Sequence, residues 1–285
     1  ANIKAGRNTG LFSHYIMEIF SQIEFLLLVV LAGTLAGILA GLLGVGGGIV
    51  IVPLLYYTLN ILDYNQSIIM HVAVGTSLFI IIPTSIRSSV EHRVRGSFDE
   101  QIFKLWSIPI IIGAALGSLL AIYSSFRLLT FLFAVIASLV SIQMFFSGSD
   151  RKIAIPKPIF RASPFFIGLV SAMMGIGGGS LSVPIMNYSG IDMKKAVGTS
   201  AAFGYLIAVP GSIGFMLGGY QMAEMLPPYS IGYVNWMAFL LIVPITLMTV
   251  PIGVKIAHKS SQKGLRMLFA LFLGITAIRM FSDLI

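Results

Sequence analysis

Six long stretches of this 285-residue chain contain no Asp, Glu, Lys, Arg or His. They occupy residues 25–62, 105–126, 128–149, 162–191, 196–223 and 225–254. Each is longer than the roughly 20 residues that a helix needs to cross about 30 Å of hydrocarbon. A soluble domain of this size also needs more surface charge than the 10% of charged residues found here. We therefore predict an all-α polytopic membrane protein, which excludes a soluble enzyme, a nucleic-acid-binding protein and a disordered chain.

The net charge of +8 has a simple explanation in a membrane protein, because Lys and Arg accumulate in cytoplasmic loops. We favour that explanation over recognition of nucleic acids or lipid headgroups, since no basic run alternates with aromatic residues. The chain has no cysteine, which excludes disulfides, thiolate chemistry and cysteine metal sites. We expect neither a metal nor a cofactor.

Two motifs occur twice in the same order, which indicates an internal repeat. Gly44-Val-Gly-Gly-Gly48 returns as Gly175-Ile-Gly-Gly-Gly179, and Val74-Gly-Thr-Ser77 returns as Val197-Gly-Thr-Ser200. We divide the chain into an N-terminal segment (1–24), a first transmembrane repeat (25–147), a basic cytoplasmic linker (148–162) and a second transmembrane repeat (163–285).

Each half is predicted to contain a glycine-broken hairpin of half helices followed by three transmembrane helices. With each hairpin counted as one segment, this makes about eight helical segments in all. The three helices fall near residues 67–90, 105–123 and 126–146, and then near 196–217, 233–257 and 264–283. This placement puts His92 in a loop. Gly33, Gly37 and Gly41 are spaced by four residues, as expected where two helices cross closely.

The basic loops indicate how the halves are related. All of them fall on one side of the membrane if each glycine-interrupted piece turns back instead of crossing. Each half then crosses three times, so the second half is inverted relative to the first, as in many secondary transporters. Residues 25–43 are long enough to cross alone, which leaves a full span followed by a half helix as the alternative.

The glycine clusters are predicted to break their helices, because each glycine is about 1 kcal/mol worse than alanine in a helix. A short apolar helix begins after each break, and its first N–H groups and dipole can hold an anion. We therefore take these glycines as candidate binding residues: Gly46, Gly47, Gly48, Gly177, Gly178 and Gly179. The alternative is that the glycines only permit close helix packing.

Hydroxyl side chains next to the breaks are the second set of candidates. Thr76, Ser77, Thr199 and Ser200 occupy matching positions and could bind substrate oxygens or, alternatively, backbone carbonyls. Ser180 is a candidate in the second half only, because isoleucine stands at its counterpart, residue 49. Ser182 likewise faces isoleucine at residue 51, so any site that these two serines join is asymmetric. His71 and Arg87 are accessory candidates only, because an interfacial histidine and a snorkelling arginine are the favoured explanations for them.

The paired glycine motifs and the Val-Gly-Thr-Ser steps resemble those of the TauE/SafE (TSUP) family of anion transporters, over nearly all of residues 25–285. The resemblance implies transport, often export, of sulfur-containing anions such as sulfite, sulfoacetate and other short sulfonates. It also implies a multi-pass protein of a bacterial or archaeal cytoplasmic (inner) membrane. Carried over by position, its site would comprise the glycine, threonine and serine candidates named above.

We interpret the chain as a secondary carrier that works by alternating access, with the anion held where the two broken helices begin. Its partners are then a small anion and the lipid bilayer, without nucleic acid, while association into a homodimer is left open. A passive anion channel, or a carrier of another small carboxylate or oxyanion, is the alternative. An intramembrane hydrolase is disfavoured, because no base is positioned near Ser180.

The inverted arrangement makes a direct prediction for a chain without cysteine. Single cysteines placed at Asp63 and at Lys194 should react with an impermeant thiol reagent from opposite sides of the membrane. Accessibility of both positions from the same side would remove the inverted arrangement.

Overall fold

A computed structural model of the chain describes residue 27 and residues 29–146, 155–258 and 263–284. These residues are almost entirely helical, which confirms the predicted all-α class. The helices in chain order are α1 (described over Val29–Leu43), α2 (Gly48–Ile61), α3 (Gln66–Val94), α4 (Glu100–Ile122), α5 (Phe126–Phe146), α6 (Lys157–Met174), α7 (Gly179–Tyr188), α8 (Met193–Gly218), α9 (Trp236–Ala257) and α10 (Lys263–Ser282). A 3₁₀ helix at Tyr220–Met225 and an antiparallel ribbon of β1 (Ser230–Ile231) and β2 (Val234–Asn235) connect α8 to α9.

Within the described ranges the structure has ten α-helices, which correspond to the eight predicted segments because each glycine-interrupted piece consists of two separate helices, as expected. Five helices, α3, α4, α5, α8 and α9, are long and apolar enough to cross a membrane. The chain is therefore a multi-pass membrane protein. The predicted N-terminal segment 1–24 and residues 148–154 of the predicted linker lie outside the described residues.

Two boundaries differ from the sequence-based expectation. Helix α3 continues to Val94, so His92 lies in a helix and is only 1% exposed, and the prediction of a loop there was wrong. The charged residues extend the helix because Glu91 pairs with both Arg87 and Arg95, one turn away on either side.

Helix α6 begins at Lys157, inside the segment predicted as linker (148–162). Proline is compatible with this early start, because Pro158 stands in the first turn, where a helix needs no N–H donor. The basic residues Lys157 and Arg161 are consequently helical.

Equivalent helices of the two halves pack against each other in opposite directions. Gly75 near the start of α3 lies against Phe215 near the end of α8, whereas Gly198 near the start of α8 lies against Ser97, just beyond the end of α3. Helices α5 and α10 behave alike: the Ser141 hydroxyl donates to the Ala270 carbonyl at 2.6 Å, and the Phe131 and Phe281 rings are 6.1 Å apart. Both pairs of equivalent helices are thus antiparallel.

Glycines mediate the other close contacts between halves. A Cβ on Gly37 of α1 would lie 2.6 Å from the Thr246 carbonyl oxygen of α9, and one on Gly41 would overlap the Val250 carbonyl oxygen. This confirms the packing role predicted for that glycine series. In the same way, Gly113 of α4 lies against the Phe165 backbone of α6.

Replacing Gly113 by valine should destabilise the protein by about 3 kcal/mol or more, because the added side chain meets backbone that cannot rotate away. Thermal unfolding of the purified protein would measure the loss. Leu116→Val, on the exposed face of the same helix, is the control and should change the melting temperature little. Equal shifts for the two variants would contradict the close contact.

Candidate functional site

The two predicted helix breaks are confirmed. Helix α1 ends at Leu43 and α2 begins at Gly48, while α6 ends at Met174 and α7 begins at Gly179. The N-cap residues Gly47 and Gly178 have φ of 81° and 74°, a left-handed conformation that favours glycine. The third glycine of each cluster is therefore the first residue of the short helix that follows.

The two broken segments lie against each other. The Gly177 N–H donates to the Val45 carbonyl oxygen at 3.2 Å. A Cβ on Gly48 would overlap the Gly175 carbonyl oxygen, and a Cβ on Gly179 would overlap the Gly44 carbonyl oxygen. The segments thus run antiparallel in backbone-to-backbone contact, and several of the glycines are needed for that contact.

The repeated serines tie each half to the other. The Ser77 hydroxyl donates to the Gly175 carbonyl at 2.8 Å. The Ser200 hydroxyl lies 3.5 Å from the Gly44 carbonyl oxygen and 2.8 Å from that of Val197. These hydroxyls therefore bind backbone, as the alternative interpretation of the sequence expected.

The repeated threonines also reach across the halves. The Thr76 hydroxyl accepts the N–H of Asn235 at 2.9 Å, and the Thr199 hydroxyl accepts that of Asp99 at 2.9 Å. Asn235 and Asp99 are the N-cap residues of α9 and α4. Each threonine thus helps to fix the start of a membrane-spanning helix that belongs to the opposite half.

The first N–H groups of α2 and α7 have no carbonyl partner within their own helices. In α7 the Leu181 and Ser182 N–H groups donate to the Gly178 carbonyl, at 3.1 and 2.9 Å. The N–H groups of Gly179 and Ser180 stand ahead of that turn, where the helix dipole concentrates partial positive charge. Helix α2 has the same arrangement, because Val50 and Ile51 both donate to Gly47.

Four buried serines around the second break have hydroxyl oxygens without a hydrogen-bond partner among the described residues: Ser85, Ser171, Ser180 and Ser182. Such a group costs about 1–3 kcal/mol when it is left unsatisfied. The matching positions of the repeat are all apolar, namely Ala208, Ala40, Ile49 and Ile51. The two copies of the repeat therefore differ in polarity at these four positions.

Ser85 and Ser171 flank this second break. A Cβ added to Gly46 would lie 2.9 Å from the Ser85 hydroxyl. A Cβ added to Gly204 would overlap that hydroxyl and would lie 3.5 Å from the Gly177 carbonyl oxygen. The Ser171 hydroxyl lies 3.6 Å from the Cβ position of Gly178. Helices α3, α6 and α7 thus all place an unpartnered hydroxyl near the start of α7.

Ser182 was noted in the sequence beside Ser180, but Ser85 and Ser171 were missed as candidates. The signal that could have found them is the one that singled out Ser180: a serine in one repeat aligned with an aliphatic residue in the other.

Comparison with known proteins agrees with this architecture. Residues 29–280 match the model of the family described as sulfite exporter TauE/SafE. The chain belongs to that family. A probable membrane transporter protein of Haemophilus influenzae is 34% identical over 260 residues, which cover 90% of this chain and 98% of that protein. No solved structure matches the chain.

Two further relatives extend over nearly their whole lengths. The probable membrane transporter protein YunE of Bacillus subtilis is 30% identical, with 88% of this chain and 94% of that protein covered. One from Methanocaldococcus jannaschii is 28% identical, with coverage of 93% and 99%. This TauE/SafE chain is therefore a membrane transporter.

The two accessory candidates lie away from the breaks of this TauE/SafE protein. His71 is buried near the start of α3, where Nε2 is 3.1 Å from the Ser124 carbonyl oxygen and the ring packs 4.9 Å from Tyr233. Arg87 forms a 2.9 Å ion pair with Glu91, and its side chain is 47% exposed. The structure brings neither of them to the contact between the two broken segments, which we call the glycine contact.

The end of α1 is held by α3. The Ser88 hydroxyl donates to the Ala40 carbonyl at 3.0 Å, and His92 Nε2 is 2.8 Å from the Gly41 carbonyl oxygen. The His92 ring also lies 5.6 Å from that of His258, which caps α9. Burial, followed by the charges of Arg95 and Lys194, lowers the pKa of His258, so this imidazole is neutral at pH 7.

Bonded and unbonded serines should respond differently to substitution. Ser77→Ala should cost about 1–3 kcal/mol of stability, because the Gly175 carbonyl loses its donor. Ser182→Ala removes a buried hydroxyl that has no partner and should leave stability unchanged or raise it. Melting temperatures of the two variants test this; an equal loss would mean that the Ser182 hydroxyl is bonded after all.

Proposed function

We propose that this TauE/SafE transporter is a secondary carrier, working as an exporter, for small sulfur-containing anions such as sulfite, sulfoacetate and other short organosulfonates. The anion binds where the two broken helices meet. The observation that carries the proposal is the set of unpartnered hydroxyls at the start of α7, directly beside the contact between the breaks. The family description, sulfite exporter, supports an oxyanion of sulfur as cargo.

The donors at this place suit such a ligand. Sulfite and sulfonate oxygens are strong acceptors, and the N–H groups of Gly179 and Ser180 stand together with the hydroxyls of Ser85, Ser171 and Ser180. Hydrogen bonds to a charged group are worth about 1.5–3 kcal/mol each, so the anion offsets the cost of unsatisfied donors. A buried Lys or Arg is not required, and the ligand can therefore leave again.

We also propose that the halves form inverted repeats. The antiparallel packing of α3 on α8 and of α5 on α10 supports this, since these are equivalent helices. In that arrangement α2 and α7 enter from opposite sides, and their starts meet near the middle of the membrane. Alternating access then moves one set of helices against the other around this meeting point.

The distribution of charge supports a cytoplasmic location for one end of the molecule. Lys157 and Arg161 line a cavity with Ile102 near the start of α4, and Arg93 pairs with Glu100 at 3.3 Å. Lys194 lies beside His92 and His258 at the same end. By the positive-inside rule this basic end faces the cytoplasm, in the cytoplasmic membrane of a bacterium or archaeon.

Ligand binding can be tested by thermal unfolding of the purified protein with sulfite, sulfate, thiosulfate, sulfoacetate and taurine. A ligand present at 100 times its dissociation constant stabilises the folded state by about 2.7 kcal/mol. We expect stabilisation by sulfite or sulfoacetate and less by zwitterionic taurine. The shift should shrink in Ser180→Ala, and uptake into proteoliposomes at low substrate concentration should fall about tenfold or more.

Ser138→Ala is the matched control, because this hydroxyl donates to the Ala134 carbonyl at 2.8 Å within α5. It should leave both ligand binding and uptake unchanged. Counterflow exchange separates a carrier from a passive anion channel. A normal ligand shift and normal uptake in Ser180→Ala would count against the site, and stabilisation by carboxylates alone would replace the proposed substrate class.

A further inference from the structure

A cavity of about 460 Å³ lies at the basic end of the molecule, away from the glycine contact. Its lining comes from three places: the first turns of α4, the first turns of α6, and the residues that follow α7. The lining residues are Ile102, Leu105, Ile155, Lys157, Phe160, Arg161, Ser189 and Ile191. The cavity therefore lies between the start of α4, the start of α6 and the end of α7.

The lining is apolar on one side and cationic on the other. Five of its side chains are aliphatic or aromatic, and its two charged side chains, Lys157 and Arg161, are both exposed cations. Among the described residues the ion pairs involve Arg87, Arg93 and Arg95, so neither cation of the cavity is neutralised there by a carboxylate. A ligand for this cavity should carry negative charge next to an apolar part.

The surface beside the cavity shows where the apolar part of a ligand would extend. Leu105 and Ile108 on α4 are 47% and 67% exposed, and Ile159 and Phe166 on α6 are 58% and 60% exposed. Exposed apolar side chains on helices that lie within the membrane face lipid. The cations of the cavity thus stand next to the acyl-chain region, at the depth of the headgroups.

We propose that this cavity binds one anionic phospholipid, with its phosphate between Lys157 and Arg161. One acyl chain enters the apolar part of the cavity, and the other lies along the exposed faces of α4 and α6. Basic pockets between membrane-spanning helices suit such headgroups. The lipid contacts the start of α6 and the end of α7 and so holds this helix pair against α4, whatever anion the protein transports.

Native mass spectrometry of the purified protein with dioleoyl phosphatidylglycerol and dioleoyl phosphatidylcholine tests the proposal. The wild type should retain one phosphatidylglycerol in preference to phosphatidylcholine. Lys157→Gln/Arg161→Gln should weaken phosphatidylglycerol binding about 25-fold, because each basic residue near an anionic headgroup strengthens binding about fivefold. Binding of phosphatidylcholine should not change.

Two further variants make the result specific. Lys195→Gln/Lys255→Gln removes the same charge from the same end of the protein outside the cavity and should retain the lipid. Leu105→Trp keeps both cations but fills the apolar part, and it should weaken phosphatidylglycerol binding. Glycerol phosphate at millimolar concentration should not displace the lipid, because it lacks acyl chains.

The proposal is overturned if the cavity variant binds phosphatidylglycerol as the wild type does, or if the control variant loses as much affinity. Displacement by glycerol phosphate alone would identify a site for a soluble phosphate instead. Unchanged binding in Leu105→Trp would show that the acyl chain does not enter. All variants should unfold at similar temperatures in lipid-free detergent, which separates lost binding from lost folding.

Discussion

The backbone contact between the two broken segments determines most of what surrounds it. Gly177 donates to Val45 across the halves, and Gly48 and Gly179 lie directly against carbonyl groups of the opposite segment. Backbone can approach backbone this closely only where side chains are absent. The run of glycines is therefore a requirement of assembly as well as a source of helix breaks, and the two roles coincide at the same residues.

Hydrogen-bond accounting explains how such a contact persists in an apolar environment. A broken helix frees carbonyl and N–H groups, and each costs several kcal/mol in hydrocarbon unless it is satisfied. The freed carbonyls of Gly44 and Gly175 receive the hydroxyls of Ser200 and Ser77. The N–H groups at the start of α7 adjoin hydroxyls that could equally donate. These two acceptors are thus satisfied internally, while the N–H groups of Gly179 and Ser180 stand ahead of the first hydrogen bonds of α7, which is the polarity that an anion needs.

Much of the fold was predictable from the sequence because its signals are local. Charge-free stretches indicate the membrane helices, and three glycines in a row indicate a break, without reference to any distant residue. The contact between the breaks was not predictable in this way, because Val45 and Gly177 are brought together only by tertiary packing. The same applies to Ser77, whose sequence context suits a ligand and a backbone carbonyl equally well.

Two other errors have identifiable causes. His92 was placed in a loop because its neighbours are charged, yet i,i+4 ion pairs from Glu91 extend the helix past it. Ser85 and Ser171 were overlooked because a single serine among aliphatic residues is unremarkable in a membrane helix. Their meaning emerges only from their unpartnered hydroxyls and from the apolar residues at the matching positions of the other half.

The hydrogen bonds between halves also bear on biosynthesis. Ser77 with Gly175, Thr199 with Asp99, Ser200 with Gly44 and Thr76 with Asn235 join residues 98, 100, 156 and 159 positions apart. A ribosome therefore delivers the first half into the bilayer well before the partners of Thr76 and Ser77 exist. Until the second half arrives, these hydroxyls can bind carbonyls of their own helix or water but not their final partners, so neither half reaches its final form before the other.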